Sequence, residues 1–194
     1  MSSDRTDRGP GVLTGDGVTL RTFERRDVEH ARRWLDDAEF RALIGATSPL
    51  TKAEADEWFE RVENDRSRRW YAVVRNEDAS VVGEAGLLRI SPEWRTADAS
   101  IMIGERDARG QGVGTEAGRV LLQLAFDRMG LHRLAIGVVG FNEGALRFWE
   151  RLGFRREGVQ RDGYLLDGAF HDFVMMSLLE EEWRSAREMD SRAA

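Results

Sequence analysis

The chain predicts one α/β domain around a mixed, mostly antiparallel sheet, and three observations carry that prediction. Apolar runs joined by tight turns come first, a strand–helix–strand–helix half follows, and no repeat or low-complexity linker interrupts the 194 residues. Hairpins give antiparallel neighbours, whereas a strand–helix–strand unit gives a parallel pair. With 41% apolar and 33% charged residues, a chain of this length is globular and large enough to bury a core.

Val18-Thr-Leu-Arg-Thr-Phe23 reads as a strand over 18–23. Asp27 and Thr51 are cap residues ahead of helices over 27–37 and 52–66. Strands over 69–75 and 80–90 flank the turn at Asn76-Glu-Asp-Ala79, and a further strand covers 96–104. A helix over 112–129 leads to a strand over 133–139. Asn142 then caps a helix over 142–152, which Gly153 ends in a left-handed conformation. Strands over 154–164 and 169–178 meet at the turn Asp167-Gly168. The domain is expected to span 12–183, with 1–11 and 184–194 as tails.

Composition excludes several classes of function. A net charge of −6 argues against nucleic acid as a partner and mildly favours cationic substrates. The absence of cysteine excludes disulfides, thiolate metal sites and an acyl-cysteine mechanism. No apolar stretch reaches membrane-spanning length and residues 1–11 are polar, so neither signal peptide nor anchor is expected and a cytoplasmic location is. No histidine and carboxylate spacing suggests a metal site.

The most informative segment is Arg109-Gly110-Gln111-Gly112-Val113-Gly114-Thr115, between the apolar strand end Ser100-Ile101-Met102-Ile103 and an amphipathic helix. A strand that turns through glycines into a helix aims unpaired N–H groups and the positive end of the helix dipole at one small volume. That volume suits an anion. A Walker loop would need Gly-Lys-Ser/Thr, and the lysine is missing; a dinucleotide fingerprint would need glycine where Thr115 stands and an acid on the next strand.

The order Arg-x-x-Gly-x-Gly from Arg109 to Gly114 resembles the pyrophosphate loop of the GCN5-related N-acetyltransferases. About thirty residues on, Asn142-Glu-Gly-Ala145 and Gly153-Phe154 resemble the second half of that family's signature. Accessory segments at 18–23, Glu157-Gly158 and His171-Asp172 look like the branch containing ribosomal-protein-alanine and spermidine acetyltransferases. The resemblance implies strands 96–104 and 133–139 that run parallel and then splay, with acetyl-coenzyme A entering the gap. Its pantetheine amides would pair with the backbone at Ile101, Met102 and Ile103, and the Met102 or Ile103 N–H would serve as oxyanion donor. The loop from Arg109 to Thr115, together with Asn142, Phe148, Trp149 and Arg151, would complete the cofactor site. The acceptor would be a small-molecule amine or a protein N-terminus, and a homodimer is a further implication.

Two departures concern proton transfer. Trp149 stands where many members place a tyrosine acid, and Ala145 where the protein-N-terminal branch places a serine; an indole N–H is too weak an acid to substitute. Glu84 is the leading candidate base or substrate anchor, sharing a strand face with Val82, Gly86 and Leu88; the alternatives are a strand-edge salt bridge or a hydrogen-bonded structural acid. Tyr164 is a second candidate, against a half-buried hairpin aromatic. Asp98 and Glu105 read as strand-end and loop acids, and Glu116 as an acid matched to a helix dipole. His30 and His132 read as surface residues, and His171 beside Asp172 as structural. Residues 24–50 and 160–172 are expected to form the acceptor mouth, with Trp34, Asp36, Asp37, Glu39, Tyr164 and Asp167 on it, although the same mix is also that of ordinary surface.

Two functions stay open on the sequence. One is acetyl transfer to a primary amine, with α-amines favoured because deprotonating an ordinary ammonium at pH 7 costs about 3 kcal/mol more. The other is a non-catalytic acyl-coenzyme A binding module.

Overall fold

A computed structural model describes residues 12–193. The first hairpin, β1 (Val12–Thr14) and β2 (Val18–Thr22), precedes three helices, α1 (Val28–Trp34), α2 (Ala38–Ile44) and α3 (Lys52–Asn64). Strands β3 (Arg69–Arg75), β4 (Val81–Ser91) and β5 (Thr96–Ile103) form a meander. Helix α4 (Val113–Leu122), strand β6 (Arg133–Val139), helix α5 (Glu143–Arg151), strands β7 (Arg155–Leu166) and β8 (Ala169–Leu179), and helix α6 (Glu180–Ala193) complete the order.

The eight strands make one sheet in the order β1-β2-β3-β4-β5-β6-β8-β7. Every neighbouring pair is antiparallel except β5 and β6. That parallel pair is short: Thr96, Ala97 and Asp98 face Arg133, Leu134 and Ala135, and pairing then stops although both strands continue. The two strands therefore splay over their C-terminal halves. On its other side β5 stays paired to β4 as far as Ile103 opposite Gly83, so it is held straight while β6 departs.

Each sheet face carries its own core. On one, α4 and α5 pack Ala117, Leu121, Leu146 and Trp149 against Val73, Ala85, Leu87 and Ala99. On the other, α1 and α3 bring Val28, Trp34, Ala55 and Phe59 onto Phe23 and Ala72. Gly118 fixes the approach of α4: a β-carbon there would stand 2.6 Å from Cδ1 of Leu152 and 3.3 Å from Cδ1 of Ile101. A helix seated this close brings its N-terminus to the splay.

Local chemistry explains the helix starts. Thr51 and Glu54 close a reciprocal capping box on α3. Asp27 is buried and takes a bidentate ion pair from Arg21 at 2.6 and 2.7 Å, fastening the entry of α1 to β2. It gives α1 no side-chain cap bond, and a 3₁₀ turn, Arg25–Asp27, opens the helix instead.

Four expectations are corrected. Residues 184–193, read as tail, continue α6, which docks by Trp183 stacked on Phe126 with ring centroids 6.1 Å apart; residues 1–11 lie outside the described residues. The stretch 24–50, read as acceptor loop after one helix, contains α2, capped by the Asp37 carboxylate and closed by Gly45 at φ 76°. The helix over 112–129 is α4 followed by a π-helical turn, Gln123–Arg128. Finally, a β-bulge opposite Val73 and Val74 places Val82 in the α4-side core with Ala85 and Leu87, so it does not share the face of Glu84.

The Tyr71 hydroxyl is buried in the α4-side core with no hydrogen-bond partner, and burial pushes its pKa upward. Tyr71→Phe should therefore stabilise the fold by about 1 kcal/mol, since it removes an unsatisfied polar atom and leaves the ring in place. Urea unfolding of the two proteins would show it as a higher midpoint at equal slope.

Candidate active site

The glycine loop sits where the splay opens. Gly110 and Gly112 adopt φ of 76° and 84°, and a β-carbon at either would meet open space, so backbone conformation is what requires glycine there. Gly112 is the N-cap of α4 and offers no side-chain cap, which leaves the first N–H groups of the helix, from Val113 through Thr115, without a capping partner. A β-carbon on Gly114 would lie 3.4 Å from Ile103 and 3.5 Å from Phe148, so β5, α4 and α5 meet at this point. Loop, helix start and splay form one continuous cradle, and its free donors fit a diphosphate.

Several side chains expected on the cofactor are occupied elsewhere. Arg109, expected to reach a phosphate, donates to the carbonyls of Ile103 at 2.9 Å and Gly104 at 2.7 Å and lies 4.7 Å from the Phe40 ring centroid. It staples the loop to the end of β5. Asn142 accepts from the Ala145 N–H at 3.0 Å and donates to the Leu43 carbonyl at 2.9 Å, which joins α5 to the end of α2. Trp149, expected as a core or pantetheine-packing residue, is 4% exposed and packs on Phe154 in the core. Arg151 is exposed on α5. Phe148, half-buried beside Gly114, is the side chain of α5 that does face the loop.

The proton-handling candidates separate clearly. Glu84 is 5% exposed and stands directly opposite Met102 across the β4–β5 ladder, so the expected base and an expected oxyanion donor are cross-strand neighbours. Burial pushes its pKa up to about 7; a hydrogen bond from the Trp70 Nε1, at 3.2 Å, pulls the other way, and Asp27 raises it slightly further. A carboxyl with that midpoint can take and return a proton near neutral pH. Of the structural alternatives, the strand-edge salt bridge does not hold, because the neighbours Ala72, Trp70 and Met102 are uncharged, whereas the Trp70 bond makes Glu84 a hydrogen-bonded buried acid.

Tyr164 is 6% exposed, lies among Phe141, His171 and Phe173, and has a buried hydroxyl without a hydrogen-bond partner. Glu116 accepts from the N–H groups of Gly17 and Val18, so it ties α4 to the first hairpin, a role beyond matching a dipole. Asp98 is paired with Arg89. A cavity of about 360 Å³ at the C-terminal end of β5 is lined by Trp34, Asp37, Gly104, Glu105, Arg106 and Arg109. Its acids carry partners: Asp37 holds Arg106 at 2.8 Å, and Glu105 accepts from Arg33 and from Trp34 Nε1. Asp36, on the same side, lies 3.6 Å from Arg32.

Sequence reasoning missed Trp70 and the mouth arginines Arg33 and Arg106. A tryptophan in a strand reads as core, and arginines among acids read as solvated surface, so only the pairing geometry distinguishes them.

A parallel strand pair that splays beside a glycine-turned helix start, with a buried carboxyl across the ladder on β4, suits an acyl-coenzyme A dependent acyltransferase. The model of the acetyltransferase (GNAT) domain matches residues 18–155, and the chain belongs to this family. It is accordingly an N-acetyltransferase that uses acetyl-coenzyme A as cosubstrate and an amine as acceptor. Over 179 residues it is 31% identical to a Bacillus subtilis (strain 168) protein named "Putative ribosomal N-acetyltransferase YdaF", covering 88% of this chain and 95% of that one. It is 23% identical to spermidine N(1)-acetyltransferase of Escherichia coli (strain K12), covering 86% and 88%. The fold is shared with the Vibrio cholerae spermidine N-acetyltransferase solved with coenzyme A and spermine, at TM-score 0.80 and 22% identity, covering 88% of this chain and 99% of that one. Among the described residues no helix is long and apolar enough to cross a membrane, and no group of three metal-ligating side chains occurs.

Proposed function

We propose that the chain acetylates an α-amine, on a peptide N-terminus or an amino-acid derivative, in preference to polyamines. Acetyl-coenzyme A supplies the activated acetyl thioester. The N–H groups from Gly110 to Thr115 hold its diphosphate, and the free edge of β5 at Ile101, Met102 and Ile103 holds the pantetheine arm, with Phe148 as the wall beside them. The Met102 or Ile103 N–H faces the charge that develops on the carbonyl oxygen. Glu84 takes the proton of the attacking amine, directly or through one water.

The observation that carries the acceptor class is the pairing of the mouth acids. A polyamine needs a row of unpaired carboxylates; here Asp36, Asp37 and the neighbouring Glu105 already hold Arg32, Arg106 and Arg33, which leaves Glu39 and Asp167 as the exposed acids of the mouth. Proton cost points the same way. Passing a proton from an α-amine with pKa near 8 to a carboxylate titrating at about 7 is uphill by about 1.4 kcal/mol, against about 4.6 for an amine near 10.4. The relative named as a ribosomal N-acetyltransferase, YdaF, supports a protein as acceptor. The competing reading, a polyamine acceptor, draws on the spermidine acetyltransferase relative.

Competition at neutral pH separates them. With peptides bearing free N-termini, spermidine and Nα-blocked lysine supplied together, the α-amine peptides should be acetylated at least tenfold faster by kcat/KM. A wide margin in favour of spermidine would assign the acceptor to the polyamine class instead.

A further inference from the structure

We infer that Trp70, seated on Gly86, is the positioning residue that holds the Glu84 carboxylate for proton transfer; this deepens, and rests on, the reading of Glu84 as base. Trp70 and Gly86 face each other directly across the β3–β4 ladder, and Glu84 lies two residues further along β4. A β-carbon on Gly86 would stand 2.2 Å from Cε3 and 2.8 Å from Cζ3 of the indole. The indole thus lies where any other residue's side chain would begin. Seated there it turns Nε1 to Oε2 of Glu84 at 3.2 Å. Its outer side is held by Trp58, edge-on at 6.3 Å, and by the Arg68 guanidinium 5.7 Å from the ring centroid.

The same device occurs a second time on this face of the sheet. Trp34 lies over Gly104, whose added β-carbon would be 1.9 Å from Cδ2, and its Nε1 donates to Glu105 at 3.0 Å. Glu105 also has Arg33. Among the described residues no cation pairs with Glu84, and the indole N–H is the group that favours its ionised form. The other groups around it are Ala72 from β3, Met102 from β5 and apolar side chains of α1 and α3; the one charge that acts on it is Asp27, itself bridged to Arg21, which opposes ionisation.

An indole N–H only donates, so it stabilises the carboxylate over the acid and fixes which oxygen stays free. Removing it should raise the midpoint of Glu84 and the acidic limb of kcat/KM together by about one pH unit, a tenfold loss of rate below that limb. The test uses Trp70→Phe, which keeps the ring, and Gly86→Ala, which keeps the indole and displaces it. Carbon-13 NMR of labelled glutamate carboxyls, with the Glu84 signal assigned by Glu84→Gln, reads the midpoint without reference to catalysis. Both variants should move it upward. An unmoved midpoint in Trp70→Phe, whatever happens to melting temperature, overturns the inference. A midpoint that moves while the acidic limb stays fixed leaves Trp70 as the holder of Glu84 and removes Glu84 from the base role.

Discussion

Glu84→Gln should make the protein more stable above neutral pH and nearly stop its turnover, opposite changes from a single atom. The carboxyl is held at about 7 in the fold against an ordinary value of 4.5. The folded state therefore keeps a proton that the unfolded chain releases, and the penalty for burying the charge grows from pH 4.5 to about 7 and is complete above it. The shift corresponds to about 3 kcal/mol. Glutamine, of the same shape and always neutral, escapes that penalty. Unfolding in urea at pH 8.5 should show the variant ahead by roughly that amount, and at pH 4 the two proteins should coincide. Loss of a general base should lower kcat by a factor of about 10² to 10⁴, with coenzyme A affinity preserved. A variant less stable than the parent at pH 8.5 would mean that the carboxylate is better satisfied than its surroundings indicate.

The parts of the site legible in the sequence are those where the backbone is the functional group. Glycines ahead of an amphipathic helix announce free N–H donors because other residues adopt φ of 76° and 84° only at a cost, so the left-handed turns at Gly110 and Gly112 are legible from residue type alone. Side-chain roles were harder to read, because the partner lies far along the chain. Asn142 looks like a ligand residue until its amide meets the Leu43 carbonyl, 99 residues away. Arg109 looks like a phosphate contact until it turns back onto β5. Strand alternation puts Val82 on the face of Glu84 only in an unbroken ladder, and one bulge reverses it. Helix α2 is too short for its apolar period to register, although Asp37 and Gly45 marked both its ends. Helix α6 is mostly polar and earns its place through Trp183, a tertiary contact that no local pattern encodes.

Gly114→Val should abolish coenzyme A binding at micromolar concentration while leaving the fold nearly unchanged. Gly112 is the less informative position, since its φ of 84° would strain any substituted residue and mix a folding effect into the measurement. Gly114 carries no such constraint, and its β-carbon would meet Ile103 and Phe148 at 3.4 and 3.5 Å, which is ordinary packing. The valine methyls would then stand at the mouth of the first helical turn, between the end of β5 and α5. A diphosphate held back from that turn loses two or more charge-assisted N–H bonds, each worth about 1.5–3 kcal/mol, so the dissociation constant should rise more than a hundredfold. Calorimetry with coenzyme A reads this directly, and the urea midpoint checks that the fold persists. Acetyl-pantetheine, which has the thioester arm and no diphosphate, supplies the decisive contrast. Its kcat/KM should fall little in the variant if the loop serves only the diphosphate. If the variant loses acetyl-pantetheine as badly as acetyl-coenzyme A, the valine has closed the splay itself, and the anion belongs elsewhere on the protein.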